Sequence, residues 1–347
     1  MHLLSPLRSR LTATAALLLV FVPSFAQDAP IFSVNVKVVN VLAIVRDRQG
    51  NIINTLGKDD FVLQEDGRQQ SIHYFTRETD LPLTLGLLVD VSGSEVRAIE
   101  EEKRASAAFT REFLRAGIDS SFLIQFATEA ELLQDVTRDP TRMQSALQDL
   151  QTPNPEDNTV VVPGTGPHAA PGHGTRGGGT LFYDAIFLAA DEMMQKQSGR
   201  KAIVLLTDGV DHGSKISLDL AIESAQRANT MVYSIYFNGN DGVDGTEESV
   251  DSPLSRQLDS KTGREALERL SKQTGGRMFV VSNTNSVSQI YAQIQDELRN
   301  EYSIGYSPDR APGDKADYRH ITLTTKQKDY QVQAREGYYA SRQIDSK

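Results

Sequence analysis

The chain has 347 residues, a formal net charge of −10 and no cysteine. That acidic balance argues against a nucleic-acid partner, whose phosphates favour a basic face, and the missing thiol excludes both disulfide staples and a cysteine-linked lipid anchor. Apolar residues make up 39% and charged residues 24%, ordinary proportions for a soluble globular protein of one large domain or two modest ones.

Residues 1–26 read as a secretory signal. Arg8 and Arg10 form a basic start, Leu11 to Val22 is apolar apart from Thr12 and Thr14, and Ser24-Phe25-Ala26 offers a small-x-small cleavage site after Pro23. A short membrane anchor is the alternative, but the apolar stretch falls below the ~20 residues a spanning helix needs. The expectation is an exported protein, periplasmic or extracellular, with no stable membrane span once the signal is removed.

Residues 27–80 are expected to supply the N-terminal part of a β-rich domain. Ile31 to Thr76 reads as β, with a turn at Asp47 to Gly50, and Asp66-Gly67 marks a hairpin between Phe61–Glu65 and Ser71–Thr76. Residues 81–301 change character. Leu85 to Val89 is a continuous apolar run, as in a strand buried on both faces. Val96, Ile99, Phe109 and Phe113 follow at helical spacings. Phe122 to Phe126 is a second short apolar strand, and Asp139-Pro140 opens the next helix as cap and first residue. Further along, Leu181–Lys196, Ser217–Asn229, Glu265–Thr274 and Val287–Asn300 read as helices, and Ala202–Leu206, Met231–Phe237 and Met278–Val281 as strands. This alternation predicts an α/β fold with a doubly wound, mostly parallel sheet. Two segments interrupt it. Residues 152–179 are Pro- and Gly-rich and read as a flexible insertion, with His168 and His173 as polar loop residues. Asn238 to Lys261 reads as an acidic loop; Asn240, Asp241, Asp244 and Glu247 do not follow EF-hand spacing. Residues 302–347 return to β at Ser303–Tyr306, His320–Thr325 and Tyr330–Tyr339, and are expected to complete the accessory β-rich domain begun near the N-terminus.

In parallel sheets, ligands bind beyond the carboxyl ends of the strands, so the loops after strands carry the functional argument. The first apolar strand ends in Asp90-Val91-Ser92-Gly93-Ser94, the strand at 202–206 ends in Thr207-Asp208-Gly209, and a glycine-rich loop delivers Thr180 just before a helix. If the strands at 85 and 202 are sheet neighbours, Asp90, Ser92, Ser94, Thr180 and Asp208 converge. All are hard oxygen donors of the kind Mg²⁺ prefers, and only two are charged, so a bound cation keeps positive charge for one more anionic ligand. Each motif alone is an ordinary turn or helix cap; the weight lies in all three occurring in order.

These runs, with Gly-Thr-Leu-Phe-Tyr-Asp-Ala-Ile at 179–186 and Leu-Leu-Thr-Asp-Gly at 205–209, resemble the metal-ion-dependent adhesion site of von Willebrand factor A domains over about residues 83–301. The leading Glu-Asp-Gly hairpin and the closing Arg-Glu-Gly-Tyr-Tyr are similar to bacterial secreted proteins of that family, of the kind frequent in Acidobacteria. The resemblance implies that Ser92, Ser94 and Thr180 contact the metal, and that Asp90 and Asp208 bind it directly or through water. Glu95, where family members often carry an apolar residue, and the 152–179 insertion depart from the pattern. The expected function is a metal-dependent protein-binding module for adhesion or assembly, not an enzyme. Its divalent cation, Mg²⁺ first with Mn²⁺ or Ca²⁺ as alternatives, would ligate an Asp or Glu of a protein partner. The alternatives are a structural protein whose metal only rigidifies its loops, and a metal-assisted hydrolase. Against the hydrolase, no histidine is placed near the motif as a general base and no GxSxG elbow is present.

Overall fold

The computed structural model describes residues 38–77, 81–92, 99–151, 180–237, 253–310 and 317–340, with backbone alone at 253–257. The proposed signal 1–26, Ser94, Glu95, the 152–179 insertion and the acidic residues Asn240, Asp241, Asp244 and Glu247 lie outside the described residues.

The chain opens with β1 (Val39–Arg46), β2 (Phe61–Glu65), β3 (Arg68–Gln70) and β4 (Ile72–Arg77). Asp66 and Gly67 both adopt positive φ, 48° and 77°, and Glu65 pairs with Arg68, so Asp-Gly forms the two-residue turn its composition predicts. The hairpin partner is shorter than expected. β3 ends at Gln70, and the next strand, β4, crosses to a different sheet, where it pairs with β11 (Tyr302–Tyr306).

The central elements are β5 (Leu83–Asp90), α1 (Ile99–Phe113), β6 (Ser120–Phe126), β7 (Ala130–Thr137), α2 (Pro140–Gln148), α3 (Phe182–Phe187), β8 (Arg200–Thr207), α4 (Leu218–Arg227), β9 (Met231–Tyr236), α5 (Pro253–Thr274), β10 (Met278–Val280) and α6 (Val287–Arg299). α3 runs on through a π turn, Leu188–Met193, and a 3₁₀ turn, Met194–Lys196. The six strands form one sheet in the order β10-β9-β8-β5-β6-β7, parallel except for β7. Every residue of β5 is buried, as an apolar strand between two helical layers must be. Leu85, Leu87 and Val89 pack in one core with α1, α2 and α6, while Leu88 packs in the other with α3, α4 and α5. The fold is therefore the doubly wound α/β sheet anticipated above, made mixed by one antiparallel edge strand.

Two further readings need correction. β7 was not anticipated because it is half-exposed along its length and shows no clean alternation, as suits an edge strand. The stretch read as loop to Lys261 is helical from Pro253 onward. Pro is well placed in a first helical turn, and Gly263 is not a breaker here but a packing position.

The terminal segments build two antiparallel sheets, β13-β1-β11-β4 and β14-β12-β2-β3, where β12 is Asp317–Thr325, β13 Gln331–Ala334 and β14 Gly337–Ala340. The span 330–339 is thus two strands in two sheets. Val41, Ala43 and Val45 of β1 share one core with Leu63 of β2, Tyr302 and Ile304 of β11, Leu323 of β12 and Tyr338 of β14, so the sheets face each other as a sandwich.

Candidate metal centre

The chain leaves β5 toward β6 and β7 on one side, then returns to β8, β9 and β10 on the other. The order therefore reverses between β5 and β8, which pair in register from Leu83↔Arg200 to Val89↔Leu206. Such a switch point opens a crevice at the carboxyl ends of the two strands. Asp90 ends one of them, and Thr207-Asp208 ends the other.

Asp90 is wholly buried. One carboxylate oxygen accepts the Ser92 backbone N–H at 2.9 Å, and the other accepts the Thr207 hydroxyl at 2.6 Å. Ser92 is itself buried and also bonds Asp90 through its side chain. Burial pushes the Asp90 carboxyl up to about 7 and the nearby Asp208 charge adds to the rise, although the bonds from Ser92 and Thr207 oppose it. Asp208 is half-buried, and its Oδ1 accepts the Val210 N–H at 3.0 Å. The turn behind it is tight. Gly209 has φ +75°, and a Cβ there would meet the Gly263 carbonyl oxygen at 2.7 Å, so the Asp208 loop rests backbone-to-backbone on α5.

Thr180 is buried just before α3. Two backbone bonds place it: the Leu181 N–H donates to the Ala127 carbonyl after β6, and the His212 N–H donates to the Thr180 carbonyl, each at 2.9 Å. Asp90 pairs with Phe126 at the end of β6, so the Thr180 turn adjoins the end of β5 as well as the loop after β8. The structure thus brings Asp90, Ser92, Thr180 and Asp208 to one end of the sheet. Ser94 lies outside the described residues.

One site neighbour escaped the sequence reading. Glu102 on α1 is buried, and among the described residues neither carboxyl oxygen has a hydrogen-bond partner. Burial holds its carboxyl well above the usual range, and the charges of Asp90 and Glu101 add to the rise. In sequence it looks like the last member of a solvated Glu100-Glu101-Glu102 run. The signal was the spacing of Ile99, Glu102, Ser106, Phe109 and Phe113, which places it on the inward helical face. His212 also sits closer than expected, since its backbone adjoins Thr180; its side chain is exposed.

This donor set suits a hard divalent cation. The Asp208 charge acts on the Asp90 carboxyl, the Ser92 and Thr207 hydroxyls bond it, and the buried Glu102 carboxyl, without a hydrogen-bond partner among the described residues, stands nearby. Positive charge here would stabilise every one of those groups.

Two models of the von Willebrand factor type A domain match the chain, one over residues 85–210 and the other over 171–293. An uncharacterized protein of Borreliella burgdorferi is 26% identical over 223 residues, covering 63% of this chain and 55% of that protein, so the chain spans about half the length of the curated relative it matches. Among solved structures, a von Willebrand factor type A protein from Catenulispora acidiphila matches 83% of this chain and 74% of its own at 12% identity, with a TM-score of 0.46. The conserved hypothetical protein BatB from Bacteroides thetaiotaomicron matches 62% of this chain and 97% of its own at 19% identity, with a TM-score of 0.44. By its matched residues, which run from β5 into α6, and by its doubly wound sheet, the chain belongs to the von Willebrand factor type A domain family.

Proposed function

We propose that the α/β part of this chain is a metal-dependent protein-binding module. A Mg²⁺-type ion at the ends of β5 and β8 would be held by Asp90, Ser92, Ser94, Thr180 and Asp208, directly or through water. Its remaining position would take an Asp or Glu from a partner protein. The observation that carries the reading is the buried Asp90 carboxylate beside the Asp208 charge at the switch point of the sheet. A site rich in hydroxyls neutralises the cation only in part and leaves it attractive to a single outside carboxylate. The acidic chain repels a diffuse anionic surface at long range, so recognition would rest on that short, geometrically demanding bond. We further propose that the protein works outside the cytoplasm, in line with the signal-like residues 1–26. No helix among the described residues is long and apolar enough to cross a membrane.

Calorimetry on the full chain tests the metal. One principal Mg²⁺ or Mn²⁺ site is expected, abolished by Asp90→Ala and by Asp208→Ala, and unchanged affinity in Asp208→Ala would sink the reading. Capture of partners from the native envelope, with Mg²⁺ and then with EDTA, tests the binding role. Partners that stay bound in EDTA would leave the metal a purely structural part.

A further inference from the structure

The two arms that carry Thr180 and Asp208 are joined by reciprocal hydrogen bonds that no sequence motif announces. The first turn of any helix leaves backbone N–H groups without intrahelical partners, usually satisfied by a polar side chain at the N-cap. In α3 the N-cap is Leu181, which supplies no such bond. The loop after β8 supplies it instead. The Tyr183 N–H donates to Asp211 Oδ1 and the Asp184 N–H to Ser214 Oγ, each at 3.3 Å. Asp184 answers from the helix: its carboxylate accepts the Lys215 N–H at 3.0 Å and the Ile216 N–H at 3.2 Å. Ser214 Oγ donates to Asp211 Oδ1 at 2.6 Å, which orients the capping pair. This is the logic of a capping box, divided between two segments far apart in sequence.

Its position gives it a consequence for the site. The capped turn begins two residues after Thr180, and the capping loop begins three residues after Asp208, with His212 N–H bonded to the Thr180 carbonyl between them. We infer that Asp184 and Asp211 are positioning residues that lock the Thr180 turn and the Asp208 loop into one rigid half of the metal site, facing the half formed by Asp90 and Ser92. The inference rests on the metal-binding reading above. The carboxylates act through bond geometry on the loop. Asp184 Oδ1 accepts both loop N–H groups and Oδ2 also accepts the Lys215 N–H at 3.1 Å, so an asparagine there keeps the two Oδ1 bonds while losing the Oδ2 bond and the charge.

The test is Mn²⁺ titration by calorimetry on the full chain and its variants, each first checked by a metal-free melt. Loss of a group that orients metal ligands costs roughly 10–100-fold in metal affinity. Asp184→Ala and Asp211→Ala should therefore bind Mn²⁺ at least about tenfold more weakly, while Asp184→Asn, which keeps the two Oδ1 bonds, should bind clearly more tightly than Asp184→Ala. A folded Asp184→Ala with undiminished affinity overturns the inference. So does an Asp184→Asn as weak as Asp184→Ala, because the carboxylate would then act by charge. If Asp184→Ala does not fold, Ser214→Ala removes one neutral hydroxyl from the same clamp and should show a smaller loss; no loss there overturns it equally. An unaltered chain that binds no Mn²⁺ refutes the proposed function itself, an outcome distinct from the others, and the inference falls with it.

Discussion

Glu102 shows how one residue can lower stability at a site it does not join. A buried polar group without a partner costs about 1–3 kcal/mol, and among the described residues both of its carboxyl oxygens are in that position. Replacing it with Met, of similar length and without polar atoms, should stabilise the metal-free protein by about that amount. The pH dependence has a definite sign. The folded-state carboxyl lies well above its ordinary value, so the folded protein binds this proton more tightly than the unfolded chain. That contribution is present at acid pH and is lost as pH rises past the unfolded value toward the folded one. The stability gain of Glu102→Met over the unaltered chain should therefore be larger at pH 8 than at pH 5. Urea unfolding in EDTA at both values measures it, and a gain that shrinks with rising pH would contradict the assignment. At this same scale the gathering of Asp90, Ser92, Thr180 and Asp208 at one end of the sheet was legible, because each lies at a point that local sequence places at the end of a strand or just before a helix. Asp184 and Asp211 were not, because the hydrogen bonds they make between helix and loop join positions 28 or more apart.

At the scale of elements, α5 and the Asp208 loop form a contact that requires glycine on both sides. A Cβ on Gly263 would stand 2.7 Å from the Gly209 carbonyl carbon and 2.8 Å from the Asp208 carbonyl oxygen, and backbone cannot yield as a side-chain tip does. Gly263→Ala should push helix and loop apart, at a cost of about 1–3 kcal/mol for overpacking, and weaken Mn²⁺ binding in step. Parallel melts and metal titrations check this; a variant that melts and binds normally would show that the contact is slack. Gly263 lies in the helix just past the stretch expected to be loop, where only a residue without a side chain lets α5 approach the turn. β5 and β8, by contrast, were readable because burial on both faces demands an unbroken apolar run. β7 carries no such demand at the sheet edge.

Across the whole molecule, the terminal segments depend on each other. β1 has β11 on one side and β13 on the other, both from the C-terminal segment. The sandwich is also tied to the α/β layer through charge. Glu297 on α6 is buried and pairs with Arg46 of β1 at 2.5 Å and with Arg277 at 3.0 Å. Asn300 and Glu301 alone separate α6 from β11. A chain ending at Asn300 should thus strip β1 of both neighbours and open the core around Val41, Val45 and Leu63, while the α/β sheet keeps its own two cores. Hydrogen exchange is expected to show lost protection at Val41–Val45 and retained protection at Leu85–Val89. Retained protection at both would mean that β1 is held by something other than its partners.

What the sequence alone determined is what local physics dictates. The alternation of short apolar strands with amphipathic helices required a doubly wound sheet, and three loop motifs placed Asp90, Ser92, Thr180 and Asp208 at its edge. The Asp-Gly pair required a hairpin turn at 66–67. What only the tertiary structure decided is every relation that depends on which distant strands and side chains meet: the division of 330–339 between two sheets, the crossing of β4 to a sheet other than β3's, the buried carboxyl of Glu102, and the clamp between Asp184 and the loop at 211–216. Period and turn chemistry are written within a few residues of chain. Pairing across hundreds of residues is chosen by the packing of whole faces, and no short window of sequence contains it.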